Sequence, residues 1–319
     1  MLQAPVSRSE PMTRARSPLL LYGSFAAVYF IWGSSFAVTK VMVGALPAYL
    51  AGGLRFVSAG LLLLAIALWR GQKAPADPLE WRHVGAMALF HGVLSTGANV
   101  VAMLHVASNQ SALLNASGAL WITLLGTFGR NRHPLTAPVA AGVALGFAGV
   151  ATLVWPHGGF TFTHFGWQLL ILWASLSWAL GTHYFRGIRS ATPTLMFLAL
   201  QLIVSGLVMA AIGLALGEAS LWHAEPRGLL ALGYLVIFNS ALAYTAYGYL
   251  MNHTTPARLS TYAYVNPAIA AMVGWLMLGE TMSSLQIVGM AIILGGVVLV
   301  SLPSGGPAVV DDQPAEPTG

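Results

Sequence analysis

The side chains in this sequence that could act on another molecule are amides, hydroxyls, an imidazole and indoles set inside long apolar runs. His91, Ser95 and Asn99 recur at four-residue spacing, which places them on one face of a helix. Ser111 and Asn115 repeat that spacing, as do Tyr262 and Asn266. Asn239, Tyr244 and Tyr247 share another run, Trp32 and Ser35 lie in the first, and Trp178 lies in a sixth. A polar group in such a setting needs a partner or a watery cavity, so each is a candidate for a binding site. Amide hydrogen bonds combined with aromatic faces hold a small molecule; they do not cleave one. The alternative reading is that these groups join helices, at about 1 kcal/mol per interhelical bond.

Catalytic and metal-ligating sets are not predicted. Cysteine is absent, which removes disulfides, thiolate metal sites and a cysteine nucleophile. None of the nine acidic residues falls deep inside an apolar run, so a carboxylate proton relay is not expected. His91 is the one histidine near the middle of a run; it either couples flux to protons or packs as a hydrogen-bonded bundle histidine. Arg55, inside the second run, can snorkel to the surface or touch a ligand. Without a buried acid, a strongly cationic ligand would rely on aromatic faces, at about 1–2 kcal/mol per contact. A phosphorylated one would want several cations. Small neutral or zwitterionic molecules, including amino acids with apolar side chains, fit this inventory. No phosphate-cradling loop is evident, and no cofactor is expected.

The elements that carry these residues belong in a lipid bilayer. Hydrophobic residues make up 57% of the 319 and charged residues 7%, far below the soluble norm of about 25% charged. A helix of about 20 apolar residues crosses the hydrocarbon core while satisfying its own backbone. Ten such spans are predicted: Pro18–Thr39, Leu46–Trp69, Val84–Leu104, Ala107–Phe128, Pro138–Trp155, Phe165–Phe185, Leu195–Leu216, Leu229–Leu250, Leu259–Leu278 and Leu285–Leu302. Apart from Arg55 the basic residues fall between spans, and they form no patch, so no nucleic-acid partner is expected. With a cytoplasmic N-terminus, that side receives Arg8, Arg14, Arg16, Arg70, Lys73, Arg82, Arg130, Arg132, Arg186, Arg189 and Arg258. The other side receives Lys40 and Arg227, a positive-inside bias that places both termini in the cytoplasm. The first span is read as an uncleaved helix, and residues 1–17 and 303–319 as disordered tails.

The two halves share landmarks. At a shift of about 146 residues, Trp32 meets Trp178, Lys40 meets Arg186, Pro47 meets Pro193 and Gly60 meets Gly206, while Gly142 meets Gly289 one residue further on. Five spans per half make the second copy enter the membrane upside down, a recurring transporter design with a site at the repeat interface. The expected fold is therefore all-α, with ten transmembrane helices in two inverted repeats, residues 18–156 and 164–302. The expected partners are the bilayer and a small-molecule substrate, in an inner or plasma membrane, the protein acting as monomer or homodimer.

Specific motifs strengthen this. Ile31-Trp32-Gly33-Ser34-Ser35-Phe36, Leu54-Arg55-Phe56 and the stretch from Pro256 to Glu280 resemble the EamA-type permeases of the drug/metabolite transporter superfamily. That stretch contains Ser260-Thr261-Tyr262-Ala263-Tyr264-Val265-Asn266-Pro267 and closes on Leu278-Gly279-Glu280; Gly289 and Gly295-Gly296 follow. The resemblance covers essentially the whole chain and implies two inverted five-helix repeats and export of metabolites, amino acids or drugs. The first half departs from the pattern: Leu120 stands where a proline would match Pro267, and Arg132-His133 replaces Gly-Glu. Glu280 thus lacks a counterpart, and a structural or gating contact is its expected role. The competing classes are an intramembrane enzyme, for which His91 and Ser95 have no third orienting group, and a sensor or scaffold, for which no soluble domain exists. The candidate substrate-binding set is Trp32, Ser35, His91, Asn99, Asn115, Trp178, Asn239, Tyr244, Tyr262 and Asn266.

Overall fold

Ten helical rods follow one another along the described residues, with no strand among them. These residues, in a computed structural model of the protein, are 18–128, 136–154, 162–188, 190–254, 259 and 261–301. The rods are α1 (Pro18–Ala45), α2 (Ala48–Trp69), α3 (Pro78–Ala102), α4 (Ser108–Leu125), α5 (Ala137–Val154) and α6 (Phe162–Gly187). They continue as α7 (Thr194–Ala215), α8 (Pro226–Tyr234 running on through Leu235–Ala243 to Tyr244–His253), α9 (Tyr262–Leu278) and α10 (Ser284–Ser301). By length and composition α1, α2, α3, α7 and α8 can each cross a membrane, and α5, α9 and α10 are shorter apolar helices. The polar faces of α4 and α6 lower their hydropathy, and those faces are buried: Ser108, Asn109, Gln110 and Ser111 on α4, Gln168, Ser175 and Thr182 on α6. Outward-facing Leu19, Phe30, Trp69, Leu207, Leu230 and Trp275 are exposed, an apolar coat that only lipid can solvate. The protein is a multi-pass membrane protein.

The tails, Arg8, Arg14, Arg16, Arg130, Arg132, His133, Arg189, Pro256, Arg258 and Ser260 lie outside the described residues. Two spans differ from expectation by more than three residues at one end. α1 continues past Thr39 because Lys40 does not leave the helix; its ammonium donates to the carbonyls of Met103 and Val106 at 2.6 and 3.0 Å. It thereby covers orphan acceptors where α3 ends. α3 starts earlier than Val84, at Pro78, with Asp77 accepting from Leu79 N–H at 2.8 Å as its N-cap.

Three carboxylates tie the rods together, each at the N-terminus of a different helix, where unpaired N–H groups and the helix dipole favour an anion. Glu218, after α7, accepts from Tyr49 and Leu50 N–H of α2 at 3.2 and 2.8 Å. Glu80 of α3 accepts from Ser190 Oγ, Ala191 N–H and Thr192 Oγ1 ahead of α7, at 2.6, 3.0 and 2.7 Å. Glu280, after α9, accepts from Ser108 N–H, Ser108 Oγ and Asn109 N–H of α4 at 2.7, 2.8 and 3.0 Å.

Lipid offers no hydrophobic drive between helices, so close backbone packing replaces it. A Cβ on Gly206 would lie 2.6 Å from the Gly53 oxygen and the Val57 nitrogen, which fuses α7 to α2. A Cβ on Gly296 would lie 2.5 Å from Gly146 N, and one on Gly149 2.7 Å from Ile293 N, which joins α10 to α5. Each pair brings a first-half helix against its counterpart in the second half. Leu120, which stands where α9 contains Pro267, is fully buried and fills the space over Gly146.

Candidate functional site

Both α3 and α8 widen into π turns near mid-span, at Ala88–Gly97 and Leu235–Ala243, matched positions in the two halves. Such turns occur often at functional sites. Here they present Ser95, Thr96 and Asn239 to a central cavity of about 150 Å³. The cavity draws on α1, α2, α3, α4, α6, α8 and α9, and nine of the ten sequence-predicted residues line it: Trp32, Ser35, Asn99, Asn115, Trp178, Asn239, Tyr244, Tyr262 and Asn266.

His91 is the exception and corrects the expectation of a shared face with Ser95 and Asn99. A π turn changes the angular step per residue, so a four-residue spacing no longer returns to one side. His91 is instead buried behind Trp178: the rings stack at 4.0 Å and 10°, and Nε2 contacts the Trp178 carbonyl at 3.1 Å. A carbonyl only accepts, so Nε2 carries the proton. The imidazole wedges against Gly181, whose Cβ would lie 2.5 Å from it. It lines a second, smaller cavity of about 40 Å³ with Thr182, Thr194, Phe197 and Gln201.

Aromatic rings separate the two cavities. Trp178 and Tyr244 line both. Trp32 lies at their centre, with ring centroids 5.9 Å from Trp178, 5.7 Å from Tyr244, 4.9 Å from Tyr247 and 5.4 Å from Tyr262. Several of these pairs are edge-to-face, the arrangement in which ring quadrupoles attract. The larger cavity extends toward Thr39 and Met103, near the ends of α1 and α3; the smaller extends toward Thr194 and Phe197, at the opposite face where α7 begins. The rings thus form a septum across the bundle.

Amides and hydroxyls above the septum are partly fixed. Ser111 Oγ donates to Asn99 Oδ1 at 2.9 Å, and Asn115 Nδ2 donates to the Ser111 carbonyl at 2.8 Å. Asn266 Oδ1 is buried with no hydrogen-bond partner. Arg55 does not snorkel: it is buried, lines the cavity, and bonds Ser240 Oγ at 2.7 Å and Asn239 Oδ1. The buried Ser240 and Asn239 face it across the bundle, so the shortest escape from lipid is inward. Thr39, Thr96 and Ser175 also line the cavity and were missed. Thr39 follows Ser35 by four residues and Ser175 precedes Trp178 by three, so helical spacing from the predicted residues was the available signal. Among the described residues no cluster of histidine and acid side chains could hold a metal ion.

The EamA-like transporter family matches the chain twice, over residues 20–155 and 165–302. The chain is 34% identical over 296 residues to the uncharacterized inner membrane transporter YedA of Escherichia coli, covering 91% of this chain and 93% of that one. It is 28% identical to a WAT1-related chloroplastic protein of Arabidopsis thaliana, over 87% of this chain and 68% of that one. To the S-adenosylmethionine/S-adenosylhomocysteine transporter of Chlamydia muridarum it is 23% identical, over 79% and 82%. A crystal structure 20% identical in sequence has the same fold, with a TM-score of 0.63 and coverage of 88% and 96%. With both halves matched separately and a relative above 30% identity along nearly the full length, this chain belongs to the EamA-like transporter family.

Proposed function

We propose that the protein exports small neutral or zwitterionic metabolites, such as amino acids or small drugs, across the inner membrane by alternating access. The observation that carries this is the septum: Trp178 and Tyr244 divide two cavities that extend toward opposite faces. A ring that lines both can open one only by moving toward the other. In this reading residues 18–156 and 164–302 are inverted copies related by a half-turn in the membrane plane. The close α2–α7 and α5–α10 contacts hold them together. Arg70, Lys73, Arg82 and Arg186 mark the cytoplasmic face, so both termini are cytoplasmic and the larger cavity lies on the outer side of the septum. The chlamydial relative is named as an S-adenosylmethionine/S-adenosylhomocysteine transporter, in keeping with a small-molecule substrate. The transporter family and the transporter-named relative favour transport over an enzyme reading.

The test is efflux from cells preloaded with a panel of amino acids and small drugs, with the wild-type protein, without it, and with Trp32→Ala at equal membrane abundance. Export of at least one compound by the wild type, sharply reduced by Trp32→Ala, is the expected result. Equal retention of every compound with and without the protein would refute the reading.

A further inference from the structure

Arg55 is 5% exposed and faces the larger cavity from α2. Its Nε–H donates to Ser240 Oγ and an Nη2–H donates to Asn239 Oδ1. A guanidinium carries five N–H donors, so the remainder have no protein acceptor among the described residues. Neutral oxygens fix the plane of the group but supply no counter-charge. No carboxylate lines the cavity among the described residues. A buried cation lacking its counter-ion is a costly arrangement, and a protein that only needed to join α2 to α8 could do so with neutral groups.

The rest of the described lining is neutral. Asn266 Oδ1, on α9, is a buried acceptor with nothing to accept from. Apolar edges of Trp32, Phe36, Trp178 and Tyr262 supply the remaining wall. Among the described residues Arg55 is the one cation of the lining, so a single negative charge neutralises the site and a dianion would not be matched.

We infer that Arg55 is the specificity-determining residue of this cavity and seats the carboxylate of a monoanionic or zwitterionic substrate with an apolar body. This rests on the transport reading above and alters its substrate class: monoanions join zwitterions, and uncharged solutes lacking a carboxylate are poor ligands. The planar fork binds both carboxylate oxygens at once, while Ser240 and Asn239 hold its orientation.

The assignment is tested with full-length protein in nanodiscs, using 3-phenylpropanoate and its near-isosteric amide, 3-phenylpropanamide, as probes and sodium chloride as a control. Binding is read by tryptophan fluorescence, since Trp32 and Trp178 line the cavity, and checked by calorimetry. The wild type is expected to prefer the acid by about tenfold or more, the scale of a hydrogen bond to a charged group. Arg55→Gln should bring the ratio close to one while retaining amide binding, which shows an intact cavity. If Arg55→Gln does not fold, Arg55→Lys carries the test: the ammonium lacks the fork, and the acid preference must fall. Equal wild-type binding of acid and amide, an unchanged ratio in the variants, no binding of either probe, or saturation by chloride alone each overturns the assignment. Efflux of uncharged, carboxylate-free compounds that persists undiminished in Arg55→Lys would overturn it while leaving alternating access standing. Absence of all efflux defeats the transport reading instead.

Discussion

Replacing Glu280 by Gln should loosen the junction between α4 and α9 by an amount that the geometry sets. The carboxylate accepts three hydrogen bonds, from Ser108 N–H, Ser108 Oγ and Asn109 N–H. Bonds to a charged acceptor are worth about 1.5–3 kcal/mol, against about 0.5–1.5 for neutral ones, so each weakens by about 1 kcal/mol. Loss of the anion at the α4 N-terminus adds about 0.3–1 kcal/mol. The glutamine amide also points N–H groups at donors, which leaves at least one of them unpaired. Because Glu280 is only half-buried, solvent screening reduces the total to about 2–3 kcal/mol. Gly274 makes room for this contact, since its Cβ would lie 2.7 Å from Glu280 Oε2. Reversible unfolding in mixed micelles measures the loss. A double-mutant cycle with Ser108→Ala should return a coupling of about 1 kcal/mol. A Glu280→Gln protein within about 0.5 kcal/mol of wild type would show that the contact is not a structural tie.

Gly206→Ala should cost about 1–3 kcal/mol through overpacking, because the new methyl meets backbone of α2 at 2.6 Å, whereas Gly23→Ala, with nothing within 4 Å, should change unfolding by less than about 0.5 kcal/mol. His91→Gln should lower flux by releasing Trp178 but leave the pH profile of exchange in proteoliposomes as in wild type; a lost pH dependence would restore His91 as a proton-coupling group.

How much was readable in the residues varies by element. The rods of α2, α7 and α10 were legible almost to the residue, because an apolar run of membrane length admits no structure but a helix. The end of α1 was not. Lys40 reads as an interfacial charge until the α3 carbonyls it meets are known, and those lie more than sixty residues away in sequence. Glu80 and Glu218 looked like loop charges for the same reason: their acceptor role depends on which helix start the fold brings beside them.

Composition and spacing alone determined that this chain lives in lipid, that it crosses as ten helices, and which aromatic and amide groups were available for a cavity. These are local properties, set by the cost of burying charge and backbone in hydrocarbon and by the helical period. Tertiary structure decided the rest. The π turn put His91 behind Trp178, and Arg55 turned inward where Ser240 and Asn239 await it. Aromatic residues from α1, α6, α8 and α9 closed into one septum. None of these follows from spacing along a single helix, because each depends on the rotation and approach of two or more helices that meet only when the bundle is formed.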